Sequence, residues 1–192
     1  AQHRAKSYTV DLYPEPHEFP VRKGDLIARS GETGVGVPHL HYEWRDRAGR
    51  PVDPRPLGMD WPDHTAPVLN KVLIVGKDPS VLLNGSPEPL ILTPAVNAAD
   101  PRRYTLPPLH ATGPFAIGVD LHDPANGGAN KLGVHVLRTA RGEAEIFRVE
   151  HNVLGYDRLG DGRVAYHPAF LGEGRFLMTY RWPGNRSESY AH

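Results

Sequence analysis

The chain has 192 residues, of which 20 are glycine and 20 proline, nearly twice their usual joint share of about 12%. The longest stretch free of both runs from Ala1 to Tyr13. That excludes a helical bundle, a coiled coil and a membrane-spanning helix of about 20 apolar residues. A hydrophobic share of 39% with 23% charged residues argues against disorder. Lys plus Arg and Asp plus Glu are each 22, so the chain lacks the basic excess of a nucleic-acid binder. It also has no polybasic run for an anionic membrane. Cysteine is absent, which removes disulfides, thiolate metal sites and a cysteine nucleophile.

In chain order, Tyr8 to Tyr13 is the first extended stretch, followed by a Pro-rich turn from Pro14 to Pro20. A turn at Val21–Asp25 leads into an expected strand at Leu26–Ser30, and the Gly-punctuated loop Gly31–Pro38 follows. His39-Leu40-His41-Tyr42-Glu43-Trp44-Arg45 alternates two side-chain sets, the period-two signature of a strand. Arg50 to His64 is dense in proline and polar residues and reads as a connector. Beyond it, strands are expected at Val68–Val75, Ser80–Leu83, Pro89–Thr93, Phe115–His122, Leu132–Arg138, Ala144–Glu150 and Arg175–Trp182, with a turn over Asp123–Asn130. Seven short strands with frequent turns suggest an antiparallel sandwich. Gly155–Phe170 is compatible with a short helix.

The strongest chemical signal is His39-Leu40-His41. On a strand, His39, His41 and Glu43 share one face, and Leu40, Tyr42 and Trp44 form a core stripe on the other. Two neutral imidazoles on one face can share a metal, or act as ligand and acid–base group. The plain alternative is two solvated histidines. His3 and His17 read as loop residues. His110, His122, His135, His151, His167 and His192 show no metal spacing and read as surface or structural histidines. Asp120, Asp123, Asn126 and Asn130 lack the spacing of a calcium loop. Trp44, Trp61 and Trp182 read as packing residues.

Val21-Arg22-Lys23-Gly24-Asp25-Leu26-Ile27-Ala28, then Ser30-Gly31-x-Thr33-Gly34, then Pro38-His39-Leu40-His41-Tyr42-Glu43 resembles the closing segment of the lysostaphin-like zinc metallopeptidases. Arg45-Asp46 and Pro51-Val52-Asp53-Pro54 extend the resemblance, which covers roughly residues 8 to 58. It implies a mainly β protein in which residues 1–58 are the C-terminal part of an antiparallel β peptidase domain. It also implies a single zinc that activates a water against a peptide carbonyl, with His41 as a zinc ligand and His39 as the catalytic helper. The implied substrates are short peptides of the bacterial cell wall, and the implied location is the periplasm or the outside of the cell. Two departures stand inside the motif: Glu32 replaces the usual asparagine, and Val37 replaces a small residue before Pro38. No upstream His-x-x-x-Asp ligand pair and no Tyr-x-His-Leu segment is present. The chain is therefore expected to begin inside the peptidase domain. Alone it is expected to be inactive, because one histidine cannot hold zinc. An N-terminal fragment of the same protein, or another chain, is the expected partner.

Residues 59–66 are read as a linker. Residues 67–192 resemble the immunoglobulin-like β-sandwich that follows the peptidase domain in some exported members. Leu73–Asn84, Asp120–Val134 and Pro183-Gly184-Asn185 carry that resemblance. A second reading is a non-catalytic envelope or assembly protein that keeps the peptidase fold as a scaffold.

Overall fold

The computed structural model describes residues 13–31, 36–59, 62–126, 131–187 and 189–190. The chain divides into two units, Ala1–Tyr42 and Glu43–His192. The boundary expected at Gly58 therefore lies inside the second unit. The regular structure described is mainly β, with antiparallel pairing throughout and only short 3₁₀ turns in place of helix.

The second unit is built on β1 (Val68–Gly76), β2 (Leu90–Leu92), β5 (Phe115–His122) and β8 (Leu177–Met178), which form one sheet in the order β2-β1-β5-β8. The segment Val68-Leu69-Asn70-Lys71-Val72-Leu73-Ile74-Val75 is rich in β-branched and aliphatic residues, which fit a pleated, packed surface. β1 is central, and Val72, Leu73 and Ile74 are all buried. Successive strand side chains point to opposite faces, so this strand is covered on both sides. Val72 and Ile74 pack with Val81 and Leu83 against Leu90, Leu92, Ile117 and Val119. Leu73 lies opposite Ile91 on one neighbour and Gly118 on the other, and Gly118 in turn faces Met178. Gly118 is required by space: an added Cβ would stand 2.8 Å from Met178 Sδ and 3.1 Å from Phe176 Cβ.

Two small antiparallel ribbons complete the strands. β3 (Ala95–Val96) pairs with β4 (Tyr104–Thr105), and β6 (Val136–Arg141) pairs with β7 (Ala144–Glu150). Val149 of β7 packs with Ala165, Leu177 and Tyr190 in a second buried cluster. Burying a side chain of this size contributes about 1.5–3 kcal/mol.

Several expected strands take other forms. Ser80–Leu83 forms no strand: the chain turns at Ser80, where the Asp78 carboxylate accepts hydrogen bonds from both the amide and the hydroxyl of Ser80, and Leu83 makes isolated bridges to Ser86 and Ala111. Val81 and Leu83 are buried nonetheless, so an apolar loop filling the core gave a strand-like pattern. β6 begins at Val136 rather than Leu132, since Leu132 exchanges backbone hydrogen bonds with Asp123. Of Arg175–Trp182 only Leu177–Met178 joins the sheet. Gly155–Phe170 forms 3₁₀ segments at Tyr156–Ala165 and Pro168–Phe170.

The first unit differs most from expectation. Its described residues, 13–31 and 36–42, are exposed and hold no strand, so the strands expected at Leu26–Ser30 and His39–Arg45 are corrected to chain without a strand ladder. Arg45 alone makes an isolated bridge, to Pro51. The physical reason is pairing: a strand persists only where a neighbour takes up its amide and carbonyl groups. Among the described residues no strand ladder forms with these segments in the first unit. Leu26, Ile27 and Leu40 are 77%, 75% and 81% exposed. The strand expected at Tyr8–Tyr13, apart from Tyr13, and Glu32–Val35 of the glycine loop lie outside the described residues, as do Trp61, His192 and Gly127–Asn130 of the expected turn.

The stretch Glu43–Pro54 is fastened within the second unit. The amide of Val52 donates to Trp44 O, that of Asp53 to Asn152 O, and that of Leu154 to Pro51 O, each at 2.9 Å. Tyr156 donates its hydroxyl proton to Glu43, and Arg45 pairs with Glu43 at 2.7 Å while stacking 5.2 Å above the Tyr156 ring. Charge beside the phenol makes its ionisation harder: the hydrogen bond to Glu43 raises the Tyr156 pKa.

Candidate functional site

In the first unit, Pro38 leads directly into His39-Leu40-His41, and both imidazoles are exposed. Their ring centroids lie 6.4 Å apart, with 48° between the planes. That is close to the i to i+2 repeat of about 6.6 Å along an extended chain. The two rings therefore keep neighbouring positions even without strand pairing. His39 Nδ1 stands 2.7 Å from Val37 O. A carbonyl can only accept, so Nδ1 carries the proton and Nε2 of the neutral ring keeps its lone pair. Val37, a departure from the resembled motif, thus fixes the tautomer of His39 through its backbone.

Zinc requires three or more protein donors. Among the described residues no group of three or more His, Asp or Glu side chains is arranged to hold a metal. The donor set present in the described residues thus does not by itself fit the ion. His41 and His39 supply two imidazoles at most.

Comparison with protein-family models, curated proteins and solved structures found no match.

A second constellation, not foreseen as a site, lies wholly in the second unit. A cleft of about 820 Å³ is walled by the Pro51–Arg55 stretch, Pro62–His64, the turn after β5 and the Leu132–His135 and His151–Leu154 segments. One wall carries a chain of side-chain hydrogen bonds. Arg148 holds Glu150 at 2.7 Å, Asn152 Nδ2 donates to Glu150 Oε1 at 2.9 Å, and His135 Nε2 lies 2.6 Å from Asn152 Oδ1. Asp53 stands 3.7 Å from the same His135 nitrogen and is paired with Arg55 at 2.7 Å. Because the Asn152 amide nitrogen is committed to Glu150, its oxygen must accept, so His135 Nε2 carries a proton. The Arg55 hydrogen bond holds the Asp53 carboxyl below the usual carboxylate range, and the Asn152 and Arg148 bonds do the same for Glu150. His151, tied to His135 through its backbone amide at 2.9 Å, is held below the usual imidazole range by burial and then by the charge of His135.

Of the other histidines, His122 Nδ1 lies 3.3 Å from Asn70 Nδ2, and His167 sits between Phe170 and Trp182. The His135 network joins residues up to 99 positions apart, since Asp53 belongs to the Pro-rich connector and Asn152 follows β7. Periodicity carries no trace of such a meeting. The only local hint is the Glu150-His151-Asn152 run at the end of an expected strand.

Proposed function

We propose that the chain is part of an exported zinc metalloendopeptidase that cuts cell-wall peptides, with His41 as a zinc ligand and His39 as the catalytic helper. The observation that carries the reading is Pro38-His39-Leu40-His41-Tyr42-Glu43 in its spaced context, with the two rings side by side on exposed chain. His39 presents Nε2 as its free nitrogen, which suits a group that takes or returns a proton at the scissile peptide bond. The remaining zinc ligands come from a second polypeptide, an N-terminal fragment of the same protein or another chain. Exposed Leu26, Ile27 and Leu40 give that partner an apolar surface to cover, and strand pairing needs no covalent continuity. In this reading residues 1–58 keep the lysostaphin-type peptidase fold when completed, and residues 67–192 are an immunoglobulin-like sandwich that positions the peptidase at the envelope.

A second reading is a non-catalytic envelope or assembly protein on a degenerate peptidase scaffold. What favours it is the lack, among the described residues, of a third metal donor. The two separate in the native assembly by substitution. His41→Ala is expected to abolish stoichiometric zinc binding, while His39→Ala keeps zinc and loses peptide hydrolysis. Undiminished zinc in His41→Ala removes the ligand assignment.

A further inference from the structure

The loop between β1 and β2 carries a covalent chemistry that neither the histidine pair nor the cleft uses. Asn-Gly, the pair whose second residue has no Cβ to shield its amide nitrogen, occurs at Asn84-Gly85 and at Asn126-Gly127; Gly127 lies outside the described residues. Asn84 and Gly85 form the exposed tip of a hairpin. Leu83 and Ser86 exchange backbone hydrogen bonds at 2.7 and 3.1 Å, and φ is +50° at Asn84 and +85° at Gly85. Positive φ at both central residues defines a type I′ turn, for which Asn-Gly is a favoured pair.

Behind the tip, residues 82–84 lie along residues 110–112. Asn84 N donates to His110 O at 2.8 Å, and Thr112 N donates to Leu82 O at 3.1 Å. The two return bonds go to side chains in place of carbonyls: His110 N donates to Asn84 Oδ1 and Leu82 N to Thr112 Oγ1, each at 2.9 Å. Leu83, between them, is fully buried. The Asn84 carboxamide is thus a member of this ladder.

The reaction open to an Asn-Gly pair is ring closure. Gly85 N attacks Asn84 Cγ, the N–Cγ bond forms, the Cγ–Nδ2 bond breaks, and ammonia leaves with the proton from Gly85 N. Water then opens the cyclic imide. Attack at Cγ gives aspartate; attack at the main-chain carbonyl carbon gives isoaspartate, whose chain runs on through Cβ and Cγ. Ring closure needs the reacting atoms within about 3–3.5 Å, so Gly85 N and Asn84 Cβ must lie on the same side of the Cα–C bond. A type I′ turn sets ψ near +30° at its first central residue, which puts the torsion from Cβ to Gly85 N at about 150°. The two stand on opposite sides, and the bond from His110 N keeps the carboxamide in the ladder.

We propose that Asn84-Gly85 is a shielded modification site: the closed tip keeps the carboxamide out of reach of Gly85 N, and opening of the 82–84/110–112 ladder releases it to succinimide and then isoaspartate. Because ammonia is lost, reclosure does not restore asparagine, and the lengthened isoaspartyl chain no longer fits a two-residue turn. A transient opening of the loop that buries Val81 and Leu83 is thereby made permanent.

The test follows the full chain at pH 8 and 37 °C, native and in guanidinium chloride. Peptide mapping by mass spectrometry reads amide-to-acid conversion, and isoaspartyl methyltransferase labelling reads the isomer. Conversion at Asn84 is expected to be at least about tenfold slower in the native chain, because opening breaks four hydrogen bonds. Thr112→Val withdraws the acceptor of Leu82 N and is expected to speed native conversion about fivefold, the population change of one net hydrogen bond. Subdenaturing guanidinium gives the same test without a substitution: conversion should rise in step with hydrogen exchange at the Asn84 and Thr112 amides. Native conversion within about twofold of the denatured rate, against the cost of breaking those bonds, overturns the shielding. A rate that stays level in Thr112→Val, or while those amides exchange faster, overturns the ladder's part in it.

Discussion

Gly118→Ala tests the packing that supports the second unit. Gly118 sits mid-sheet between Leu73 of β1 and Met178 of β8. The added methyl would meet Met178 Sδ at 2.8 Å, Phe176 Cβ at 3.1 Å and Leu73 Cβ at 3.6 Å. Favourable carbon contacts begin near 3.5 Å, so two of the three are too close by several tenths of an ångström. Met178 and Phe176 are both fully buried and Phe176 Cβ is fixed to the backbone, so neither has open space to move into. Overpacking of this kind costs about 1–3 kcal/mol. In urea unfolding followed by circular dichroism, the variant should unfold at a lower midpoint with an unchanged slope. Gly133→Ala is the control, since nothing lies within 4 Å of its added Cβ, and it should stay within about 0.5 kcal/mol of wild type. A Gly118→Ala protein as stable as wild type would refute the packing argument.

Ala125→Gly should stabilise the second unit by about 1 kcal/mol, because glycine adopts the left-handed conformation at φ +42° without steric cost; a lower urea midpoint would contradict this. Asn152→Ala removes the link between His135 and Glu150 and should cost about 1 kcal/mol or more, read in the same assay. Burial lowers the pKa of both His151 and His167, so the folded protein favours their neutral forms and the unfolded chain binds more protons. Their contribution is complete above the unfolded pKa of about 6.5 and is lost as pH falls through the lowered folded values. Urea midpoints should therefore fall between pH 7.5 and pH 5, with a shallower fall in the His151→Gln, His167→Gln double variant; an identical slope in that variant would remove both groups from the account.

How far the sequence foretold this structure depends on what each segment packs against. β5 and β7 occupy the residues expected as strands, Phe115–His122 and Ala144–Glu150, and β1 extends one residue beyond Val68–Val75. All three pair with long neighbours or bury apolar side chains. Val81 and Leu83 are as apolar and as buried, but the Asp78 side chain captures the local donors and bends the chain. β3 and β4 escaped notice because two residues are too few to show a period. His39–Arg45 alternates as clearly as β5 does, yet its described residues in the first unit form no ladder. Alternation reports which faces a strand would have, not whether a partner is there to pair with it. The adjacency of His39 and His41 was legible because it depends on residue spacing alone. The His135, Asn152 and Asp53 meeting was not, because tertiary pairing of distant segments creates it.

The most direct test of the proposed function is native mass spectrometry of the purified material combined with its zinc content. The account predicts a non-covalent complex of this chain with a second polypeptide that carries histidine and aspartate ligands. That complex should hold about one zinc, the content of a single catalytic site, and should lose it in His41→Ala. A 192-residue chain that remains alone and takes up no zinc when the metal is supplied would contradict it.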